Sequence, residues 1–474
     1  MNEASNPYAP RVPIFPRSVK GRYRTIKYVI LALAYGVYFL LPWLPWQRNN
    51  APSQAVLFDL PGRRFLIFDL TVYPQDVVWL ALLLFIAATI LFFATALVGR
   101  AFCGYFCFQT LWTDFFIWIE SRIQGERPAR VRLYRQPWNR EKVLKVGSTH
   151  LIWLLASFWT GMSFVLYFSY APDLVAQFFT GGAAAAAYIT VGVITLSTYF
   201  AAGYMREQIC TYVCPYGRFQ SVMYDAETLA VHYDAMRGED RRGRASARSG
   251  MRTLEERHAK GHGDCIDCRL CVQVCPAGID IREGLQYRCI SCGLCIDACN
   301  GIMDSMGFAR GLIRYDSEAN LAKAAPGKPR LHWKRLKVAG YGAAIMLMSA
   351  YLVYSIASRS SFEGAVTQIR QPLFVVLSNG DIRNRYQIRV TNKLGVAETF
   401  TLGIKGLPAS ALDVGDLREV TVKPGHSAML QASIILDPES AARTHEVEFV
   451  ITPSSQPNEA RIEHAGFHYS VPHT

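Results

Sequence analysis

Cysteine is absent from the first 102 residues and from the last 175 of this 474-residue chain; all 12 cysteines fall between residues 103 and 299. Their spacings are those of metal ligation, and a disulfide framework would also need an oxidising compartment. Charge is scarce as well. Only 18% of residues are charged against 51% hydrophobic, too apolar for an average soluble protein and too polar for one buried wholly in a membrane. Acidic residues fall short of basic ones, giving a net charge of +13. Nucleic acid is not the expected partner, because 20 of the 50 Lys and Arg lie between residues 203 and 335 and most others flank apolar runs. A cleavable leader is not evident: the N-terminal 20 residues are polar and proline-rich, and the first apolar run is long enough to span.

Five runs approach or exceed the ~20 residues needed to cross a bilayer. They are Thr25 to Trp46, Val77 to Val98, Ser148 to Tyr170, Ala183 to Tyr204 and Leu336 to Ala357, with Trp43, Trp46 and Trp79 placed as interfacial aromatics. Lys and Arg number six in residues 1–27, three in 47–76, nine in 99–147, none in 171–182 and twenty in 203–335. This alternation predicts a cytoplasmic N-terminus, an external C-terminus and all the cysteines on the cytoplasmic side. A helical hairpin followed by Cys-x3-Cys occurs twice, in "CGYFC" and "CTYVC", which predicts an internal repeat presenting both pairs at one membrane face.

The predicted organisation is a four-helix membrane region (1–236), a basic, flexible or partly helical linker (237–262), a ferredoxin-like α+β unit (263–315), a return linker (316–335), the fifth span (336–357) and a β-sandwich (358–474). The sandwich is read from short β-branched or alternating runs such as "YQIRVTN", "TFTLGI" and "HEVEFVIT" between Gly, Pro, Asn and Asp turns. Immunoglobulin-like describes its architecture only.

Cysteines 265, 268, 271 and 275, and again 289, 292, 295 and 299, repeat Cys-x2-Cys-x2-Cys-x3-Cys. This spacing wraps three thiolates around one [4Fe-4S] cube while the fourth cysteine reaches the other cluster. It assigns Cys265, Cys268, Cys271 and Cys299 to one cluster, and Cys289, Cys292, Cys295 and Cys275 to the second. Zinc motifs instead pair two Cys-x2-Cys units. Pro276 follows the first run as in bacterial ferredoxins, whereas Asn300 stands in the corresponding place after the second. The membrane-edge pairs are less specific. On a continuing helix, Cys103 and Cys107 would share one face, as would Cys210 and Cys214, to bind a metal or form a redox couple. His150 and Met205 are read as packing or interfacial groups before ligands. His258 and His262 have an i, i+4 spacing, but Gly261 and Gly263 argue against a stable helix there.

With "CGYFCFQTLWTDFFIWIE", "CTYVCPYG", the dicluster runs and a cysteine-free β-domain in this order, the chain resembles the cytochrome c oxidase accessory family CcoG, also called FixG or RdxA. The resemblance implies a bacterial inner-membrane protein with a periplasmic β-domain that reduces Cu(II) to Cu(I) for cbb3-type oxidase assembly. It further implies electron-relay clusters on the eight motif cysteines and a copper or redox site, catalytic and metal-binding, at Cys103, Cys107, Cys210 and Cys214. Expected partners are the membrane, a cytoplasmic electron donor, a copper chaperone or transporter and oxidase assembly factors; homo-oligomerisation is left open. One departure is visible: the family has proline after the second cysteine of each pair, and here Phe108 replaces it while Pro215 keeps it. Two other functions share these features. One is a polyferredoxin-type carrier feeding another membrane or periplasmic redox enzyme, and the other is a redox-sensing assembly scaffold without turnover.

Overall fold

A computed structural model describes residues 13–47, 52–246, 250–251, 253–323, 331–394, 396–415 and 418–469. The chain divides into two units, residues 1–44 with 81–349, and residues 45–80 with 350–474. Five helices are long and apolar enough to cross a membrane: Arg22–Trp43, Val77–Val98, Arg140–Leu166, Ala185–Met205 and Leu336–Ala357. Leu83, Leu84 and Phe85 of the second and Leu347, Tyr351 and Tyr354 of the fifth turn outward. Apolar side chains bared over helices of this length require lipid as their solvent. The second and fifth spans fall where the hydropathy placed them. The third starts at Arg140 rather than Ser148, because Asn139 caps its first turn by accepting from the Lys142 amide at 2.8 Å and carries the helix out through charged residues. The fourth ends in a π-helical stretch, Tyr199–Met205.

Strands β1 (Val56–Asp59), β2 (Arg64–Ile67) and β3 (Leu70–Val72) form a small antiparallel sheet in the connection between the first two spans, which sequence periodicity did not disclose.

The cysteine-rich unit is closed by an antiparallel pair, β4 (Ala230–Tyr233) with β5 (Ile313–Asp316). It therefore starts at Ala230, not at residue 263. Of the two forms expected for the linker 237–262, flexible or partly helical, the structure has the second, with Leu254–Ala259 helical; residues 247–249 and 252 lie outside the described part. Its composition is charged, yet Arg257 is fully buried and donates to the carbonyls of Ala245, Gly263 and Cys265 at 2.8–3.0 Å. One guanidinium thus supplies the donors that pin this segment beside the first cysteine motif. In the return linker, Asp316 is fully buried and Glu318–Leu321 is helical, while 324–330 lie outside the described residues.

The second unit carries β6 (Phe362–Gln368), β7 (Val375–Val376), β8 (Ile382–Asn392), β9 (Glu398–Lys405), β10 (Leu412–Asp413), β11 (Glu419–Val422), β12 (Ser427–Leu436), β13 (Glu446–Pro453) and β14 (Arg461–Gly466). One sheet runs β10-β12-β8-β6 with β7 on β8, and the other β11-β9-β13-β14. Burial alternates along β8, β12 and β13, which gives each sheet one apolar inner face. Tyr386, Ile388, Phe400, Ile434 and Phe449 fill the space between them. Three of the five strand segments read from sequence fall wholly within strands, and "REVTV" and "HEVEFVIT" begin one residue before β11 and β13; β7 and β10, two residues long, and β6 and β14, without a clear apolar alternation, were not among them.

Candidate functional site

The two cysteine motifs repeat not only in spacing but in backbone conformation. Asp267 and Arg269 have φ of 48° and 56°, and their counterparts Ser291 and Gly293 have 49° and 73°. Paired left-handed residues in a tight loop turn successive amide groups towards one side, as an anion cradle requires. The Ser291 amide approaches Cys289 Sγ at 3.4 Å. At Gly293 a side chain is excluded twice over, since a Cβ would also lie 2.7 Å from the Tyr23 ring.

The cavities behind these loops divide the thiols. Cys265, Cys268, Cys271 and Cys299 line one of about 360 Å³, with Ile266, Ile302 and Leu312 in its walls. Cys275, Cys289, Cys292 and Cys295 line another of about 360 Å³, with Val231, Ile279 and Ile281, and Cys271 at its border. The fourth cysteine of each motif thus joins the other motif's three, the grouping expected from the spacing. Burial pushes the thiols up, Cys271 and Cys289 to about 11 and Cys275 and Cys299 to about 12. Buried thiols of this kind ionise when a metal takes the proton's place. Among the described residues no three His, Cys, Asp or Glu side chains converge on a point that a single ion could occupy. Eight soft ligands spread around two apolar cavities fit [4Fe-4S] clusters, which separate their thiolates more widely than one zinc ion does. Asn300 lies inside the helix Leu294–Met306, with its Oδ1 accepting from the Gly311 amide at 3.0 Å. Proline there would remove a helical N–H, which explains why this position departs from the ferredoxin pattern.

At the membrane edge the structure corrects the expectation that each cysteine pair shares a helix face. The helix Ala101–Tyr105 ends before Cys107, which is the extended N-cap of the next helix, Phe108–Ile123. In the second copy Ile209–Val213 is π-helical, and Cys214 is the extended N-cap of Pro215–Met223. Each second cysteine therefore sits at a break, where its side chain is not stacked one turn from the first. The proline of the family pattern occupies the first position of a helix, where its missing N–H costs nothing. Phe108 fills that position without needing proline's fixed φ, and its ring stacks on Trp112 at 4.1 Å. Phe108→Pro should fold with stability changed by less than about 1 kcal/mol, loss of the stacking offsetting the gain from a stiffer unfolded chain; a thermal melt in detergent checks this.

Cys103 Sγ lies 3.2 Å from Gln220 Oε1, and Gln220, wholly buried, donates to Thr95 Oγ1 at 3.2 Å. Burial pushes Cys103 up to about 12 and Cys210 to about 11; in both cases neighbouring cysteines add to the rise and Arg100 opposes it. The four thiols are thus within electrostatic reach of one another, as are the two halves of the repeat. Arg100, 5% exposed, donates to the carbonyls of Gly217 and Tyr287. It acts on Cys289 as well, so one buried cation faces both the membrane-edge thiols and the second cluster motif.

The contact between these parts is direct. Gly104, between the two cysteines of "CGYFC", is packed so that a Cβ would lie 2.6 Å from the Ile290 carbonyl and 3.0 Å from Cys292 Cα. Tyr105 Oη donates to the Cys292 carbonyl at 2.9 Å. Gly104→Ala should therefore force the two loops apart at a cost of about 1–3 kcal/mol, seen as faster bleaching of the iron-sulfur absorption on warming. Arg100, Gly104, Tyr105 and Gln220 escaped the sequence reading; only the small residue inside a cysteine pair hinted at a close approach. His150 lies within the third span, its Nδ1 3.0 Å from Tyr199 Oη. His258 pairs with Asp264 at 2.9 Å and His262 approaches the Gly243 carbonyl at 3.4 Å, so the two histidines have separate partners.

Five membrane-spanning helices, two four-thiol cavities and a cysteine-bearing helical edge packed against one of them define a membrane-bound iron-sulfur electron-transfer protein. Residues 205–318 match the family model "4Fe-4S dicluster domain", residues 80–125 match "4Fe-4S binding domain", and residues 352–469 match the "IG-like fold at C-terminal of FixG". Protein RdxA of Cereibacter sphaeroides is 45% identical, covering 84% of this chain and 83% of its own; Protein RdxB of the same organism is 41% identical, covering 92% and 91%. Nitrogen fixation protein FixG of Rhizobium meliloti is 38% identical over 97% of this chain and 93% of its own. The chain belongs to the FixG/RdxA family. A crystal structure of a FixG-related protein from Vibrio parahaemolyticus aligns with 24% of the chain and all of its own at 22% identity and a TM-score of 0.21.

Proposed function

We propose that this protein is a cupric reductase, delivering single electrons to Cu(II) at the membrane-edge cysteines and releasing Cu(I) for assembly of a cbb3-type oxidase. The observation that carries the reading is the packing of Gly104 and Tyr105 on Ile290 and Cys292, which brings the first membrane pair against the second cluster cavity. Two [4Fe-4S] clusters, when bound, supply one-electron transfer at potentials set by charge, hydrogen bonds and exposure.

The residues of this chain do the rest. Apolar walls of Val231, Ile279, Ile281 and Ile290 keep water from the second cavity. Cys103, Cys107, Cys210 and Cys214 offer soft sulfur to copper, the substrate, and thiolates favour Cu(I), so binding there makes the reduction Cu(II) + e⁻ → Cu(I) more favourable. A set of two or three sulfurs drawn from these four would hold Cu(I) and still let it leave by ligand exchange. Arg100 balances the negative charge of the thiolates. On the charge alternation of the loops, the reaction takes place on the cytoplasmic side, with a cytoplasmic one-electron donor upstream, a copper chaperone or transporter downstream, and the β-sandwich meeting assembly factors outside.

The test is anaerobic: purified cluster-loaded protein is reduced with dithionite, freed of excess reductant and mixed with Cu(II) and a Cu(I)-specific chromophore. Cu(I) should appear in proportion to reduced clusters in the wild type and be nearly lost when all four membrane-edge cysteines are serine. No Cu(I), or equal Cu(I) from the quadruple variant, rejects the reading.

One observation favours a second reading. The model matched by residues 80–125 is described as a 4Fe-4S binding domain and includes Cys103 and Cys107. On that reading the membrane-edge cysteines hold iron, and the chain is an electron carrier with a third cluster. Iron analysis separates the two, at about eight against about twelve irons per chain.

A further inference from the structure

The four membrane-edge cysteines are not held alike. Cys107 and Cys214 sit at helix breaks as extended N-caps, and Cys210 lies in the π-helical stretch Ile209–Val213. Cys103 lies inside the helix Ala101–Tyr105, its carbonyl accepts from Thr110 Oγ1 at 2.6 Å, and its Sγ stands 3.2 Å from Gln220 Oε1. Among the described residues it is the one membrane-edge sulfur tied by a side chain.

The tie is defined atom by atom. Thr95 Oγ1 gives its only hydrogen to the Leu91 carbonyl at 2.8 Å, so it accepts from Tyr216 Oη at 2.9 Å and from Gln220 Nε2 at 3.2 Å. The Gln220 amide is thereby fixed, nitrogen toward Thr95 and oxygen toward Cys103. An amide oxygen only accepts, so the Cys103 thiol donates. Gln220 and Thr95 are both wholly buried, which shelters these bonds from solvent. To bind a metal, Cys103 must break its bond to Gln220 and release its proton to solvent, a bond that its three neighbours do not have to break.

We propose that Gln220 is a specificity-determining residue for the metal taken at the membrane edge. By tying Cys103 to the second half of the repeat, it leaves an incoming ion the three sulfurs of Cys107, Cys210 and Cys214, and Cys103 joins them only at the expense of the bond. Two or three sulfurs suit Cu(I), whereas zinc(II) in a closed site and a [4Fe-4S] cluster call for four ligands. The proposal rests on the copper reading above and adds how competing metals are refused.

The experiment uses full-length, cluster-loaded protein in detergent under anaerobic conditions, so that the eight motif cysteines are occupied. Zinc(II) alone is the probe: X-ray absorption at the zinc edge counts sulfurs at about 2.3 Å, and competition dialysis gives the zinc-to-Cu(I) affinity ratio. The wild type should place no more than three sulfurs on zinc and Gln220→Leu four, with the ratio raised about tenfold, the weight of one hydrogen bond. Thr95→Val leaves Gln220 in place but frees its amide to turn, and should move the ratio the same way by less; it carries the test if Gln220→Leu does not fold. Four sulfurs on zinc in the wild type, or the wild-type ratio in both variants, would overturn the proposal. So would about twelve irons per chain, since a third cluster would then occupy all four thiolates. If sulfur counts and ratios come out as expected but the reduced protein forms no Cu(I) from Cu(II), the cupric reductase reading fails while the role of Gln220 stands.

Discussion

Cys299→Ser should empty the cavity of the first cysteine motif, thirty residues away in sequence, and leave the cluster of its own motif in place. The reason is the crossed grouping: Cys299 lines the cavity of Cys265, Cys268 and Cys271, and Cys275 lines that of Cys289, Cys292 and Cys295. Iron should fall from about eight to about four per chain. The two single variants should also differ in what survives. In Cys299→Ser the remaining paramagnetic signal belongs to the deeply buried site, and in Cys275→Ser to the site whose Cys268 is exposed. Ferricyanide should therefore bleach the cluster left in Cys275→Ser faster than the one left in Cys299→Ser. Loss of the cluster belonging to each cysteine's own motif would show that the grouping is wrong. Apart from Cys268, the motif cysteines are buried or half-buried among apolar side chains, so serine gives neither a soft ligand nor a compensating fit.

Arg100→Met is the second large effect expected. The methionine fills much of the volume but removes the donors to Gly217 and Tyr287, and two carbonyls left without partners cost roughly 2–4 kcal/mol. Those carbonyls belong to the helix after the second membrane pair and to the loop before Cys289, so the variant should loosen the join between them. Its signature is double: a lower melting temperature in detergent, and a lower reduction potential for the second cluster once a nearby positive charge is gone. Arg100→Lys keeps the charge but reaches fewer acceptors. It should restore the potential more than the stability. Equal loss of both in the lysine variant would reduce Arg100 to a packing role.

Much of the architecture was legible because long-range context hardly enters it. A span is a run of apolar residues set by bilayer thickness, so Val77–Val98 and Leu336–Ala357 were readable to the residue. An iron-sulfur motif is local, since three ligands come from one loop. The β-sandwich followed from alternation, and its edge and polar strands, β6 and β14 among them, were lost where alternation fades. The packing of segment 237–262 was hidden because charge usually marks solvated chain, whereas Arg257 is buried on the carbonyl of Ala245 within the segment and those of Gly263 and Cys265 beyond it.

The membrane-edge pairs mark the boundary between the two kinds of information. Cys-x3-Cys suggested one helix face by periodicity, and both copies instead break the helix so that Cys107 and Cys214 become N-caps. Ligand spacing and hydropathy, local along the chain, determined by themselves that this is a membrane protein with eight cysteines in a dicluster pattern. Tertiary structure alone decided that Gly104 would press against Ile290, that Arg100 would face both cysteine sets, and that Gln220 would reach Cys103, 117 residues away in sequence. Such meetings depend on which surfaces fold against each other, and no local pattern of residues records them.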